Sequence, residues 1–549
     1  MSESLVLAPR VVLCTLNAKY IHASLGLRYL LANMGELRGV TLLREFTIAR
    51  DPQQVAAELL ATFGTAAVGQ TQILGLGVYI WNVLQTCALL RVLRQLRPGL
   101  KIVLGGPEVS HETDGQEVVA LADHVITGWG DTSFPALCRA LLFGPQPLMK
   151  VLAGLQAPLA QISLPYGEYA ADDVAHRTLY VEASRGCPFK CEFCLSSLDK
   201  TAWAFDSDRF LGELGILYAR GARRFKFVDR TFNLKIDSSV RILQFFLDRL
   251  AEQGCSGSPE AGLFVHFEVI PDHLPERLRA MIAQFPPGVL QFEVGIQSFN
   301  EEVQKRISRK QDNALTVANL RWLQQHSHAH LHTDLIFGLP GESLQSFADG
   351  FDRLYALRPH EIQLGLLKRL RGTPIARHAQ AHGMRFDDQP PYALLCSDVL
   401  DAETVQHFGR AARYWDLLGN SGRFRRSVAL LLGQKDREAA TVTAHAMWPS
   451  AFMALWAIAG WLWSRSQSTH GLTPEVLVQH MHDYLVDERG MHGALVTQAL
   501  LEDYRDSGAR ARPPVLQALL KQRTAAGSGP RVSLAQRQFL HRQRAELPV

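Results

Sequence analysis

Cys187, Cys191 and Cys194 stand in the run Cys-Pro-Phe-Lys-Cys-Glu-Phe-Cys, a CxxxCxxC spacing with Phe193 just before the last cysteine. A structural zinc site takes four ligands, and three thiolates leave it one short. Thiolate is the ligand of iron–sulfur clusters, and three suit three corners of a four-iron cluster with one iron left open. Cys14, Cys87, Cys138, Cys255 and Cys396 are scattered and read as reduced core residues, without a disulfide framework.

An open iron can chelate the amino and carboxylate groups of S-adenosylmethionine (SAM) and hold its sulfonium beside the cluster. One electron then cleaves a carbon–sulfur bond and releases a 5′-deoxyadenosyl radical. On this motif the chain resembles the radical SAM superfamily, and the resemblance gives Cys187, Cys191 and Cys194 their catalytic role, through the cluster they bind.

The elements that must position these cysteines follow. Residues 177–375 repeat strand then helix six times, with strands expected at 179–183, 225–228, 263–269, 290–295, 332–337 and 361–366. Such alternation implies a parallel sheet, here an open barrel of six units, with polar residues at strand C-termini facing the site. Asp229, Glu268, Gln297 and Asp334 hold such places, and Arg309 follows Gln297 by twelve residues. The series resembles the SAM-binding residues of oxygen-independent coproporphyrinogen oxidases and the methylthiotransferase branch. That resemblance implies that Glu268 and Gln297 contact the methionine and ribose parts, and Asp334 the ribose. Arg309 would pair with the carboxylate through its planar fork. It also sets Asp229 at the SAM amino group and the Phe193 backbone at the adenine.

Residues 10–140 alternate apolar runs (11–16, 73–79, 101–104) with helical stretches (25–34, 83–96), a doubly wound α/β pattern. Ligands of such sheets sit at the carboxyl ends of the strands. The loops there carry Asn17, Tyr20 and His22; Tyr79, Trp81 and Asn82; Gly105-Gly106-Pro107-Glu108-Val109; and Gly128-Trp129-Gly130-Asp131. Ahead of a radical SAM motif, this set resembles the cobalamin-binding, Rossmann-like domain of class B radical SAM enzymes. The resemblance implies that Asn17, Tyr20, His22, Tyr79, Trp81, Asn82, Gly105–Val109, Gly128 and Gly130 bind cobalamin. The two glycine loops would cradle its nucleotide tail. The Asp-x-His-x-x-Gly motif of other cobalamin proteins is absent, so cobalamin is expected with its base displaced and no histidine on cobalt. Trp129 stands where the family usually has an acid.

Residues 386–549 read as mainly helical, with helices at 399–418, 450–464 and 474–486 and a linker at 526–530. Pro390-Pro391 marks a boundary. The partition is then 1–150 cobalamin domain, 151–176 linker, 177–385 barrel and 386–549 helical closing domain, in keeping with a length too great for one core. The segment 363–374, with the loops at 17–26, 79–82 and 227–233, resembles a bacterial subgroup of these enzymes with an uncharacterised C-terminal domain.

The 549 residues are 47% hydrophobic and 20% charged, with a net charge of +4. This reads as a soluble globular protein with no expected nucleic-acid partner; the one basic stretch is the tail near Arg537–Arg544. The N-terminus carries acidic Glu3 and no basic-then-apolar pattern, so no export signal is expected and the cytoplasm is the expected compartment. The apolar run from Met447 to Trp463 is broken by Pro449 and Ser450 and falls short of about 20 residues, so it reads as a buried helix and no membrane partner is expected. The expected cofactors are a [4Fe-4S] cluster, SAM and cobalamin. The expected activity is methyl transfer to an unactivated centre of a small molecule, with flavodoxin or ferredoxin as reductant. The alternatives are transfer of the 3-amino-3-carboxypropyl group or a radical rearrangement. Further off are an RNA methylthiotransferase and a non-catalytic cobalamin sensor.

Overall fold

The computed structural model describes residues 9–65, 70–253, 262–433, 450–509 and 511–521. The first layer comprises β1 (Val11–Asn17), α1 (Leu25–Ala32), β2 (Thr41–Thr47), α2 (Pro52–Phe63), β3 (Ile73–Gly77), α3 (Val83–Leu96), β4 (Lys101–Gly105), α4 (Glu117–Ala120), β5 (His124–Thr127), α5 (Ser133–Phe143) and β6 (Val151–Ala153). Every residue of β1 is buried, as a central parallel strand covered on both faces requires. The strands lie in the order β2-β1-β3-β4-β5-β6, all parallel. The order reverses between β1 and β3, so the loops after these strands part there and leave a crevice. Ser24 and Asp51 cap α1 and α2 by accepting from the Leu27 and Gln54 amides, which fixes where each loop ends.

After α6 (Ala171–His176), the second sheet is built from β7 (Leu179–Val181) and a short ribbon, β8 (Ser184–Arg185) with β9 (Trp203–Ala204), then α7 (Ser207–Ala219), β10 (Arg224–Phe227), α8 (Ile236–Gln253), β11 (Phe264–Val269), α9 (Glu276–Ile282), β12 (Leu290–Gln297), α10 (Glu301–Arg306), α11 (Asn313–His326), β13 (His330–Phe337), α12 (Leu344–Tyr355) and β14 (Glu361–Leu366). Six of these strands run parallel in the order β14-β13-β12-β11-β10-β7, and the two edge strands do not pair with each other. The barrel is therefore open along one side. Alternation sorts each strand: Phe225, Phe227, Val265, Phe267, Phe292 and Val294 join the helix-covered core. Lys226, His266, Glu268 and Glu293 turn the other way, into the lumen. The first layer docks on the edge at β7, where the Thr178 amide donates to the Ile21 carbonyl at 3.1 Å.

The third part opens with the hairpin β15 (Arg385–Phe386) and β16 (Leu394–Cys396), followed by α13 (Ala402–Leu418), α14 (Arg425–Leu432), α15 (Ala451–Ser466), α16 (Pro474–Asp483) and α17 (Gly493–Asp506). These helices share one hydrophobic core with the barrel. Phe408 stacks on Phe337 at 4.0 Å, and the Trp415 indole donates to the Ile362 carbonyl at 2.7 Å.

Most expected elements are present within a few residues. The edge strand β2 escaped notice because Thr-Leu-Leu-Arg-Glu-Phe-Thr lacks a clean apolar alternation. β6 lies within the expected linker at 151–176 and completes the first sheet. Among the described residues no helix is long and apolar enough to cross a membrane. Cys255, residues 447–449, the linker at 526–530 and the basic tail lie outside the described residues.

Candidate active site

The cysteine loop begins where β7 ends, at the C-terminal mouth of the barrel. The β8–β9 ribbon pinches its two ends together, and the Cys187 amide donates to the Asp199 carbonyl at 2.8 Å. Cys187 and Cys191 are 8% and 9% exposed, and Cys194 is more open. Burial pushes the Cys187 and Cys191 thiols up, and the neighbouring thiols add to this; for Cys191 the Arg309 guanidinium works against it. Thiols so placed need a bound metal to become thiolates. Among the described residues no three His, Cys, Asp or Glu side chains converge as a single ion requires. An all-sulfur set of three fits an iron–sulfur cluster, which spreads its ligands over separate irons.

Glu192, inside the motif, fixes this loop in place. It is 2% exposed, its amide donates to the Ile307 carbonyl, and its own carbonyl accepts from the Ile375 amide. Its carboxylate accepts from Ser308 Oγ at 2.5 Å, from Arg377, and from His378 Nε2 at 2.7 Å. Two segments remote in sequence, 307–308 and 375–378, thus meet on one residue.

Arg309, two residues beyond Ile307, brings its Nη1 to 3.7 Å from Cys191 Sγ, while Nη2 donates to the Gly295 carbonyl. Gln297 closes β12 in the left-handed region, with φ at 67°. Its amide folds back over Gly295, where a Cβ would lie 2.4 Å from Nε2, so a side chain there would push the Gln297 amide out of this place. Arg309 and Gln297 therefore meet beside the cysteines. Glu268 is paired with Arg230 at 2.6 Å. Asp334 is paired with His332 at 3.3 Å. Phe193 packs against the barrel core. Asp229 is buried, accepts from the Ala183 amide and from Ser184 Oγ, and is pushed up to about 7 by burial. Its oxygens brace the strand end that launches the cysteine loop.

The second feature is a cavity of about 440 Å³ between the first layer and the barrel. Tyr79, Gly105, Gly106, Pro107, Gly128 and Gly130 line it, with Trp129, Asp131, Phe134, Arg185 and Asp199. Its volume falls in the ordinary range for small-ligand sites. At Gly106, with φ at 110°, a Cβ would sit 2.5 Å from the Val78 carbonyl, so the loop could not pass so close with any other residue. Tyr79 stacks on Trp81 at 4.4 Å.

Other cobalamin candidates lie behind or beside this cavity. Asn82 is fully buried and ties the Thr15, Leu16 and Gly77 backbones and side chains together. Asn17 donates to the His22 carbonyl and to Glu45. Tyr20 donates to Asp172. His22 Nδ1 lies 2.7 Å from the Tyr180 hydroxyl, at the open edge of the barrel. Val109 is buried, and Glu108 accepts from Arg371 at 3.0 Å and from Tyr392, joining the glycine loop to the barrel's exit segment.

Asp131 and Glu192 lie within the quoted motifs and Arg185 and Asp199 flank the cysteine loop, but their spacing alone gives none of the four a role. Asp199 accepts the Trp129 indole proton at 2.7 Å through Oδ2, while its carbonyl accepts from Cys187. One residue thus holds both the cavity wall and the cysteine loop.

Residues 181–354, which span most of the barrel, match the model of the radical SAM superfamily. Over 188 residues the chain is 32% identical to an uncharacterised methyltransferase, PH0819, of Pyrococcus horikoshii, covering 29% of this chain and 40% of that protein. It is 25% identical over 333 residues to the cobalamin-dependent radical SAM methyltransferase TokK of Streptomyces tokunonensis, covering 54% of this chain and 47% of that one. The chain thus spans less than half of either relative. In fold it is similar to the cobalamin-dependent SAM radical enzyme OxsB, solved with aqua-cobalamin and SAM bound. There the TM-score is 0.58 at 12% identity, covering 98% of this chain and 84% of that one.

Proposed function

We propose that this protein is a cobalamin-dependent radical SAM enzyme that methylates an unactivated centre of a small molecule. The observation that carries this reading is Asp199, which bridges the cysteine loop and the glycine-lined cavity. A cluster and a corrin held in these two places would face one reaction space. The names of TokK and OxsB support the pairing of these cofactors. Cys187, Cys191 and Cys194 would hold the cluster. Arg309, Gln297, Glu268 and Asp334 would hold SAM, with the Phe193 backbone at its adenine and Asp229 bracing the loop. The glycine loops and Tyr79 would hold the cobalamin tail. When bound, these groups supply reductive SAM cleavage and a transferable methyl group. The chain supplies orientation and exclusion of water: Arg309 fixes a carboxylate, and the cavity walls bury a flat aromatic group. A flavodoxin or ferredoxin in the cytoplasm, where thiols stay reduced, would deliver the electron.

The test is anaerobic reconstitution with iron, sulfide and cobalamin, followed by SAM and a reductant, with products identified by mass spectrometry. S-adenosylhomocysteine and 5′-deoxyadenosine are expected, the former only with cobalamin. Cys191→Ala should give neither. Methylthioadenosine in their place would overturn methyl transfer in favour of aminocarboxypropyl transfer.

A further inference from the structure

Below the mouth of the barrel, the lumen carries a set of charged side chains that none of the roles above uses. Lys226 on β10 and Glu293 on β12 face each other at 3.5 Å across His266 of β11. Both side chains are 29% accessible although they stand on interior strands of the sheet, so this part of the lumen is open. The other lumen acids have partners of their own, Asp334 meeting His332 at 3.3 Å. Glu268 meets Arg230 at 2.6 Å, and Glu361 meets His330 at 3.1 Å. Among the described residues Glu293 is the only acid ion-paired with Lys226, and its second contact is His266 Nε2 at 3.1 Å.

At 3.5 Å Lys226 and Glu293 make a long ion pair, and both side chains are open to the lumen, so a ligand can enter between them and replace each partner's counter-charge. An amine alone would leave Lys226 without its anion. A carboxylate alone would leave Glu293 without its cation. A ligand that bears both satisfies both.

We infer that the Lys226–Glu293 pair binds a substrate of the α-amino-acid type, its carboxylate on Lys226 and its ammonium on Glu293. Glu293 lies four residues before Gln297, about 13 Å down the strand from the mouth. The zwitterionic end is therefore the deep end, and the side chain points back toward the cysteines. This rests on the radical SAM reading of the same barrel.

The experiment is equilibrium dialysis of reconstituted holoprotein with SAM against the twenty protein amino acids, their decarboxylated amines and their deaminated acids. Retained molecules are read by mass spectrometry. At least one amino acid should be held tenfold or more above its own amine and acid counterparts. Lys226→Met and Glu293→Gln should each cut that retention at least tenfold, with the cluster absorbance showing that the variants fold. Retention of no amino acid, equal retention of a counterpart, or unaltered retention by the variants would overturn the inference. The comparison with the counterparts uses the unsubstituted protein, so it stands even if a variant misfolds. Failure of the function reading would appear separately, as absent SAM cleavage.

Discussion

Arg185 grips Asp131 with both arms of its guanidinium, at 2.7 Å and 3.0 Å from the two carboxylate oxygens. Asp131 belongs to the glycine loop of the first sheet, and Arg185 to the ribbon that launches the cysteine loop. Nε of the same arginine donates to Glu182 at 2.9 Å, and its plane lies over Tyr29 and Trp129. The pair is buried, with side-chain exposures of 11% and 7%. Removing one partner of such a pair leaves a buried charge and costs about 3–5 kcal/mol. Arg185→Met should therefore lower the unfolding free energy by that amount and release cobalamin on dialysis. Arg185→Met with Asp131→Leu should recover part of the stability, because no charge is then stranded at that contact. Denaturant unfolding of both, with cobalamin absorbance after dialysis, checks this. A double variant as weak as the two losses added would show that the residues do not act as a pair.

Glu192 makes a different prediction, for the cysteine loop alone. Its carboxylate gathers Ser308, Arg377 and His378, while its backbone joins Ile307 and Ile375. Glu192→Ala would leave Arg377 and His378 without their anion and free the loop to shift. Iron content after reconstitution should fall at least threefold. Glu192→Gln keeps an acceptor for Ser308 or Arg377 and should retain most of the iron. Iron and sulfide assays decide it, with the reduced cluster's electron paramagnetic resonance signal as a second readout. Equal iron in both variants would reduce Glu192 to a filler of space.

What the sequence made legible was local. The cysteines stand within eight residues, so their spacing alone announced their chemistry. The barrel strands announced themselves because each buries a helix-facing row of Phe, Val and Leu. The braces were hidden because their partners lie far apart: Tyr392 is 284 residues from Glu108, and Arg377 is 185 from Glu192. No periodicity links such pairs. Lys226 and Glu293 were visible as lone charges in apolar strands, but only the register of β10, β11 and β12 turns them toward the same space. Asn17 and Asn82 sit at strand ends, where their side-chain amides also hold loop backbone, Asn17 at the His22 carbonyl and Asn82 at the Leu16 and Gly77 carbonyls.

Glu342, in the turn between β13 and α12, gives the pH dependence of stability. It is 2% exposed. Ser298 and Ser346 both donate to its Oε1, and Oε2 has no hydrogen-bond partner. Burial pushes the carboxyl up to about 7 from an ordinary 4.5, with the two hydroxyls acting against it. An acid raised in this way binds more protons folded than unfolded. Its contribution to stability is complete below about pH 4.5, is lost as pH rises through about 7, and then stays lost. The span corresponds to roughly 3 kcal/mol. Glu342→Gln carries no charge at any pH, so it should match the unsubstituted protein at pH 5 and exceed it by up to about 3 kcal/mol at pH 8. Urea unfolding at the two pH values measures this directly. The same difference at both pH values would mean that Glu342 ionises in the folded chain as it does in the unfolded one.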